Sequence, residues 1–464
     1  MVRSTRTKSA IGTPLPLLLP DIPSQAIEHG EVFTREWVVD LILDLVGYDA
    51  GRDLAKCLAI EPACGAGAFL GPMVLRMSRS CRRHGRTLDE AHHAIRAYDL
   101  LPQNVEASRR LVEKVLIEDS WPAESSTLAA EQWVRQGDYL LQPQHDQVAD
   151  FVVGNPPYIR LEDVPNDRMA VYRTVCSVMT GRSDIYVGFF EVGLRSLKPG
   201  GSLGFICADR WMRNQYGQQL RQMIASGYSV DVTVTMHDVD AFEAQVAAYP
   251  AISIIRRNQQ GQAAVVDANR SFGPEHARSL VHWSTGARPA TVNDAYSAAC
   301  LPHWFEGSDS WPSGSPAMLK LIEHLNDRFP PLEDPTTATR VGIGVATGAD
   351  AVFVATEADV EPARLLPLSM VRDTKSGRFS WSGHHLVNPW GPNGKLVDLN
   401  AFPRLRAYYE RHAGALRKRH IAAKRPGHWY GTIDKVDDSL TAREKLLFPD
   451  LKLTIHPVLD EGGF

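Results

Sequence analysis

The sequence predicts an α/β protein: a doubly wound, mostly parallel sheet, followed by a C-terminal domain of mixed α+β character. Three observations carry this. First, a short apolar run, Cys57-Leu58-Ala59-Ile60, enters a glycine turn, Glu61-Pro62-Ala63-Cys64-Gly65-Ala66-Gly67, and then a helical pattern. Glycine lets a backbone approach a ligand closely, and a helix start offers free N–H groups, so this is the opening of a nucleotide-binding unit. Second, strand-like and helix-like segments alternate up to about residue 256, the pattern of parallel strands with helical crossovers. Third, the apolar run Phe151-Val152-Val153-Gly154 stops at Asn155-Pro156-Pro157-Tyr158. Proline has no N–H for a ladder and holds the residue before it extended. A rigid loop at the carboxyl end of a buried strand follows, where open α/β sheets bind their ligands.

The elements follow in order. Residues 36–48 show helical apolar spacing at Trp37, Val38, Leu41 and Leu45, with Thr34 placed as N-cap. The helix after the glycine turn runs to about residue 83, and 94–98 form a second strand ended by Asp99. An acid there can accept from ribose hydroxyls. Residues 104–115 read as a helix, and 132–139 as a third strand ending in Gly137-Asp138. The Asn155 loop closes a fourth. A helix at 184–197, a strand at 202–207 and a helix from 214 to about 225 follow. Strands at 230–236 and 251–255 form an antiparallel edge, joined by a loop at 237–250.

At 257–264 the pattern turns polar, which ends the first domain at 264. Residues 265–339, rich in Ser, Pro, Gly and Trp, read as linker and irregular structure, and 340–464 as the second domain. Residues 1–27 read as a disordered lead-in: the apolar stretch there is short and broken by prolines, unlike a signal peptide.

Bulk properties narrow the class. The 464 residues suffice for two or three cores. No run approaches the roughly 18 apolar residues of a membrane span. The six cysteines form no CxxC pair, so neither a zinc site nor a disulfide scaffold is indicated, and reduced cysteines in the cytoplasm are the expectation. Net charge is −4, yet residues 404–425 hold eight Lys/Arg against one acid, Glu410, with Tyr408, Tyr409, Trp429 and Tyr430 in or beside them. A basic helix with interleaved aromatics suits a phosphate backbone; the alternative is a solvated helix face. Arg417, Lys418, Arg419 and Lys424 are the phosphate candidates.

The Asn155 loop presents an amide, a stiff backbone carbonyl and an aromatic ring. Two acceptors and a ring face suit a planar exocyclic amine. Pro-Pro-Tyr also serves as a docking ligand in flexible tails, but a strand precedes it here.

Gly30-Glu31-Val32-Phe33-Thr34, the Glu61 to Gly67 turn, Asp99, Asp138 and Asn155-Pro156-Pro157-Tyr158, in this order, resemble the amino-group DNA adenine methyltransferases. Within those the chain is similar to the gamma arrangement of the TaqI-like and Eco57I-like modification enzymes. The glycine turn and the Asn155 motif lie about 90 residues apart. Asp184-Ile185-Tyr186, Lys198-Pro199-Gly200-Gly201, Asp240-Ala241-Phe242 and Tyr249-Pro250-Ala251-Ile252 are similar to later motifs of the set. Val345 to Gly348, Trp429-Tyr430 and Phe448-Pro449-Asp450 match more loosely.

The resemblance implies a Rossmann-like methyltransferase sheet, S-adenosylmethionine as cofactor, no metal, and a C-terminal target-recognition domain. It implies that Thr34 and Glu61-Pro62-Ala63 contact the methionine part of the cofactor, that Gly65 and Gly67 let the backbone pass close, and that Asp99 holds the ribose. Asp138 would accept from the cofactor's adenine amine, with Tyr139 near its ring. Asn155 and the Pro156 carbonyl would hold the target amine, and Tyr158 and Phe242 would sandwich the target base. For Phe242 the alternative is an ordinary core aromatic. The expected reaction is methylation of N6 of a flipped-out adenine in duplex DNA within a restriction–modification or related defence system. The alternative is an amine methyltransferase acting on RNA or on protein glutamine. No nuclease signature stands out, so a partner endonuclease is expected to be a separate protein. Family members usually continue past the segment that ends at Phe464, so the recognition domain is expected to be short or truncated.

Overall fold

Buried, apolar strands set the plan of the first unit, which extends to Phe329; the second is Pro330–Phe464. The computed structural model describes residues 33–463 apart from 143–146, 161–162, 244–248, 303, 335, 376 and 449–456. The expected lead-in, Gly30 to Val32 and Pro449-Asp450 lie outside the described residues.

The first unit runs α1 (Glu36–Val46), β1 (Ala59–Glu61), α2 (Leu70–His84), β2 (Ile95–Asp99), α3 (Pro102–Glu118), α4 (Ala123–Trp133), β3 (Val134–Gln136) and β4 (Ala149–Gly154). It continues with α5 (Asn166–Val175), α6 (Tyr186–Ser196), β5 (Leu197–Ala208), α7 (Arg210–Arg213), α8 (Gln218–Gly227), β6 (Ser229–Thr235) and β7 (Pro250–Arg256). It ends with β8 (Ala263–Ala268), α9 (Pro274–Thr285), β9 (Thr291–Val292), β10 (Tyr296–Leu301) and α10 (Pro316–Arg328).

These strands form one sheet in the order β3-β2-β1-β4-β5-β7-β6-β8-β10-β9. From β3 to β5 every pairing is parallel. β7 inserts antiparallel between β5 and β6. Phe151, Val152 and Val153 of β4 are buried, as a central strand covered on both faces must be. One face packs against α1, α2, α3 and α9 through residues such as Ile42, Met73, Val112 and Leu280. The other packs against α6, α8 and α10 through Phe190, Leu220 and Leu319. Left-handed glycines stop the first two helices: Gly47 (φ 82°) after α1 and Gly85 (φ 64°) after α2.

The structure corrects four expectations here. Residues 265–329 are not a linker: β8 pairs parallel with β6, and β10 pairs antiparallel with β8. The β6–β7 pair is therefore internal rather than an edge. The added strands are built of small residues such as Ala263, Ala264, Ala298 and Ala299, which carry little strand signal alone but cover an otherwise unpaired edge. Helices α4 and α5 were not anticipated. Finally, Thr34 does not cap α1; Arg35 holds the N-cap position with no side-chain bond.

The second unit has its own small core. It contains α11 (Asp350–Phe353), β11 (Val354–Ala355), β12 (Leu365–Pro367), β13 (His385–Val387), α12 (Pro403–Arg411), α13 (Ala413–Arg417), α14 (His420–Lys424), β14 (Lys445–Leu447) and β15 (Val458–Asp460). β13 lies antiparallel between β11 and β12. The single basic helix expected over 404–425 is three short ones. Leu405, Tyr409 and Leu416 all enter the core around Phe353 and Val387. The chain turns at His412 (φ −100°, ψ 7°) between α12 and α13, and both helices reach that core. The Tyr408 and Tyr409 hydroxyls donate to the carbonyls of Val352 (2.7 Å) and Val387 (2.9 Å), which ties α12 down.

Candidate active site

The carboxyl ends of β1, β2, β3 and β4 and the segment before α1 carry the expected residues into one pocket. Thr34, Glu61, Pro62, Ala63, Gly65, Asp99, Asp138, Tyr139 and Asn155 all line it, in a cavity of about 160 Å³. Gly67 does not. Its φ is +96°, and a Cβ there would lie 2.4 Å from Leu111 Cδ2. Gly67 therefore serves close packing on α3, while Gly65 (φ +51°) lies in the pocket wall.

The turn is locked to the second strand. Gly65 N–H donates to Asp99 Oδ2 at 2.9 Å, and Leu101 N–H and Asn104 Nδ2 donate to Oδ1. Ser108 Oγ donates to the Gly65 carbonyl at 2.9 Å. Glu61 is 1% exposed, and its Oε2 has no partner among the described residues. Burial pushes its carboxyl well above the usual range, and the Asp99 charge adds to this. Burial also raises Asp99 and Asp138. Asp138 accepts from Leu140 N–H at Oδ1 (3.1 Å) and from Tyr172 Oη (2.6 Å) and Arg168 Nη2 (2.9 Å) at Oδ2. Tyr139 stacks on Phe189 with ring centroids 5.7 Å apart.

Asn155 donates through Nδ2 to Thr34 Oγ1 at 3.1 Å. Thr34 bridges antiparallel to Phe242, with Arg35 N–H on the Ala241 carbonyl (3.0 Å) and Glu243 N–H on the Phe33 carbonyl (2.9 Å). Three stretches far apart in sequence thus meet at Thr34. Beyond the loop, Ile185 N–H donates to the Ile159 carbonyl at 2.8 Å, which fixes the loop's exit.

Pro156, Tyr158 and Phe242 stand outside the pocket lining. The sandwich expected of Tyr158 and Phe242 is not formed. Their rings meet edge to face at 6.4 Å and 85°, and Phe242 is 5% exposed, so no parallel slot separates them.

In the second unit, Arg417, Lys418 and Lys424 are exposed, with the Arg417 guanidinium 4.4 Å over the Trp429 ring. Arg419 departs from the phosphate role. It donates to the carbonyls of Thr347 (2.9 Å), Trp429 (2.8 Å) and Gly431 (2.8 Å), an internal clamp joining two of the three loosely matched motifs. The sequence reading missed Arg168 and Tyr172, which also line the pocket. Their only signal was a spacing of four on a mostly polar segment. Among the described residues no group of His, Cys, Asp and Glu could hold a metal, and no helix is long and apolar enough to cross a membrane.

The pocket suits a donor-rich, cationic ligand. Its polar floor consists of buried carboxylates, and Glu61 has an acceptor to spare. The ammonium, ribose hydroxyls and adenine amine of S-adenosylmethionine are all donors, so the residues present fit that cofactor.

Residues 84–242 match the Eco57I restriction-modification methylase family. The chain is 41% identical to the Type II methyltransferase M.PaeR7I of Pseudomonas aeruginosa, over 94% of this chain and 75% of that protein. It is 35% identical to the Type II methyltransferase M.BstVI of Geobacillus stearothermophilus and 36% identical to the Type II methyltransferase M.XhoI of Xanthomonas vasicola, each over 94% of this chain and 80% of the relative. A likeness of this extent, together with the Asn155 loop and the acid-lined pocket, places the chain in the Type II methyltransferase family.

Proposed function

We propose that this enzyme methylates N6 of an adenine flipped out of duplex DNA, as the modification partner of a separate restriction endonuclease. The juxtaposition of the Asn155 loop with the acid-lined pocket, joined through Thr34, is the observation that carries this reading.

S-adenosylmethionine, when bound, supplies a methyl group on a sulfonium. Glu61 would receive its ammonium end, Asp99 the ribose hydroxyls and Asp138 the adenine amine, with Thr34, Pro62, Ala63, Gly65 and Tyr139 forming the walls. The task left to the Asn155 loop is electronic. An adenine N6 lone pair is delocalised into the ring, so the amine is a poor nucleophile. The Asn155 side-chain oxygen and the Pro156 carbonyl accept its two N–H groups and localise the lone pair. This is positioning plus fixed dipoles aimed at nitrogen as it becomes positive. The amine proton would pass to water only after methyl transfer, so the residues of this chain need supply no strong base. Base extrusion costs a few kcal/mol. Stacking on Tyr158 returns about 1–3 kcal/mol, and Phe242 backs that ring edge-on. Arg417, Lys418 and Lys424 contact phosphates, which position the duplex without specifying its sequence.

Transfer of tritiated methyl groups to DNA, RNA and protein tests the reading. Label in duplex DNA is expected; label confined to RNA or to glutamine would overturn it.

A further inference from the structure

A buried cation stands in the acid-lined pocket, and none of the roles above uses it. Helix α5 places Arg168 and Tyr172 one turn apart, with the guanidinium 5.7 Å from the Tyr172 ring centre. Arg168 is 7% exposed. Its Nη2 binds Asp138 Oδ2 at 2.9 Å, while Nε and Nη1 have no partner among the described residues. Tyr172 Oη donates to the same Oδ2 at 2.6 Å. Among the described residues Oδ1 carries one donor, Leu140 N–H at 3.1 Å.

A carboxylate offers about four lone-pair sites on two oxygens. Both sites of Oδ2 are therefore filled, and one on Oδ1 remains. Resting on the cofactor reading above, we propose that Arg168 is a positioning residue for the adenine end of S-adenosylmethionine, holding Asp138 with Tyr172 so that only Oδ1 is open and the pocket selects a 6-amino purine. The guanidinium charge also favours the ionised carboxylate. An ionised acceptor welcomes an amine and opposes the carbonyl of a 6-oxo purine. Without Arg168 the buried carboxyl is free to protonate and to donate to that carbonyl, and the selection collapses. The two unpartnered guanidinium nitrogens are donors suited to the acceptor nitrogens of the same ring.

Calorimetry without DNA tests this, with S-adenosylhomocysteine and its 6-oxo counterpart, S-inosylhomocysteine, as probes. Wild type is expected to prefer the amino form by at least about 100-fold, within the roughly 10⁴–10⁵ that a site built to hydrogen-bond its ligand can reach. Arg168→Met is expected to weaken S-adenosylhomocysteine binding at least 10-fold and to shrink the preference at least 10-fold. Arg168→Lys is expected to restore most of both, and Tyr172→Phe to reduce the preference at least 3-fold. Equal loss of both ligands with the preference intact would reduce Arg168 to a structural role and overturn the proposal, as would wild-type binding by Arg168→Met. If Arg168→Met does not fold, an unchanged preference in Tyr172→Phe overturns it. Wild-type protein that binds neither probe would sink the cofactor reading as well, which separates the two failures.

Discussion

Asn155 donates its side-chain N–H to the Thr34 hydroxyl at 3.1 Å, across 121 positions of sequence. The same Thr34 bridges to Phe242. One hydroxyl thus orients the Asn155 amide and joins it to the loop bearing an aromatic ring.

Thr34→Val removes that acceptor and keeps the shape. A single neutral hydrogen bond is worth about 1 kcal/mol, and misaiming the amide adds to the loss. The single-turnover rate should fall about 10-fold. Asn155→Asp keeps an acceptor but loses the donor to Thr34, so partial activity is expected. Asn155→Ala should remove most of the rate, and the double variant with Thr34→Val should be no worse than Asn155→Ala alone, since the two act through one contact. Rapid-quench measurements give all four values; additive losses would show that the contact does not matter.

Glu61→Gln should stabilise the cofactor-free protein and weaken cofactor binding. The folded-state pKa of Glu61 is raised well above its ordinary value of 4.5. For a raised group the linked stability is complete below that ordinary value and is lost as pH rises through the folded value. The advantage of the glutamine should therefore be absent below about pH 4.5 and grow above it. Near neutral pH a gain of about 1 kcal/mol corresponds to about 2–4 °C in Tm. Calorimetric scans across pH, with and without S-adenosylhomocysteine, check both halves.

Cofactor affinity itself should fall as pH is lowered, because Glu61, Asp99 and Asp138 are stronger acceptors when ionised, and protonation turns one oxygen of each into a donor. Burial raises all three, so the acid limb should begin above the ordinary carboxylate range. Titration calorimetry from pH 5 to pH 8 would show it, and a flat profile over that range would contradict the assignment of the three acids.

The basic residues of the second unit should separate by burial. Lys418→Ala and Lys424→Ala should weaken DNA binding without a change in Tm, and each should reduce the slope of log affinity against log salt by about 1. Arg419→Ala should instead lower stability, since its guanidinium holds four carbonyls. Salt-dependent binding isotherms beside melting curves distinguish the two behaviours.

Much of this was legible in the residues. The glycine turn, the acids ending β2 and preceding Tyr139, and the Asn155 loop announce themselves because each needs a rare local chemistry at a strand end. Thr34 was misread as a helix cap because caps and hydroxyl partners use the same residue type, and only tertiary structure brings Asn155 to it. The strands β8 and β10 were hidden because Ala-rich segments gain their strand character from the neighbouring strand rather than from their own propensity. Arg168 left only its spacing of four from Tyr172 as a signal, since an arginine on a polar helix is usually solvated and nothing local reveals the buried carboxylate it meets. Arg419 misled for the opposite reason: it sits in a charge run, yet the fold spends it on carbonyls.

The most direct test of the central claim is a single-turnover transfer of tritiated methyl groups to duplex DNA by wild type and Asn155→Ala, with the modified base identified by chromatography. The account predicts N6-methyladenine from the wild type and almost none from the variant, although the variant still binds S-adenosylhomocysteine. Label in N4-methylcytosine, or an undiminished rate in Asn155→Ala, would contradict it.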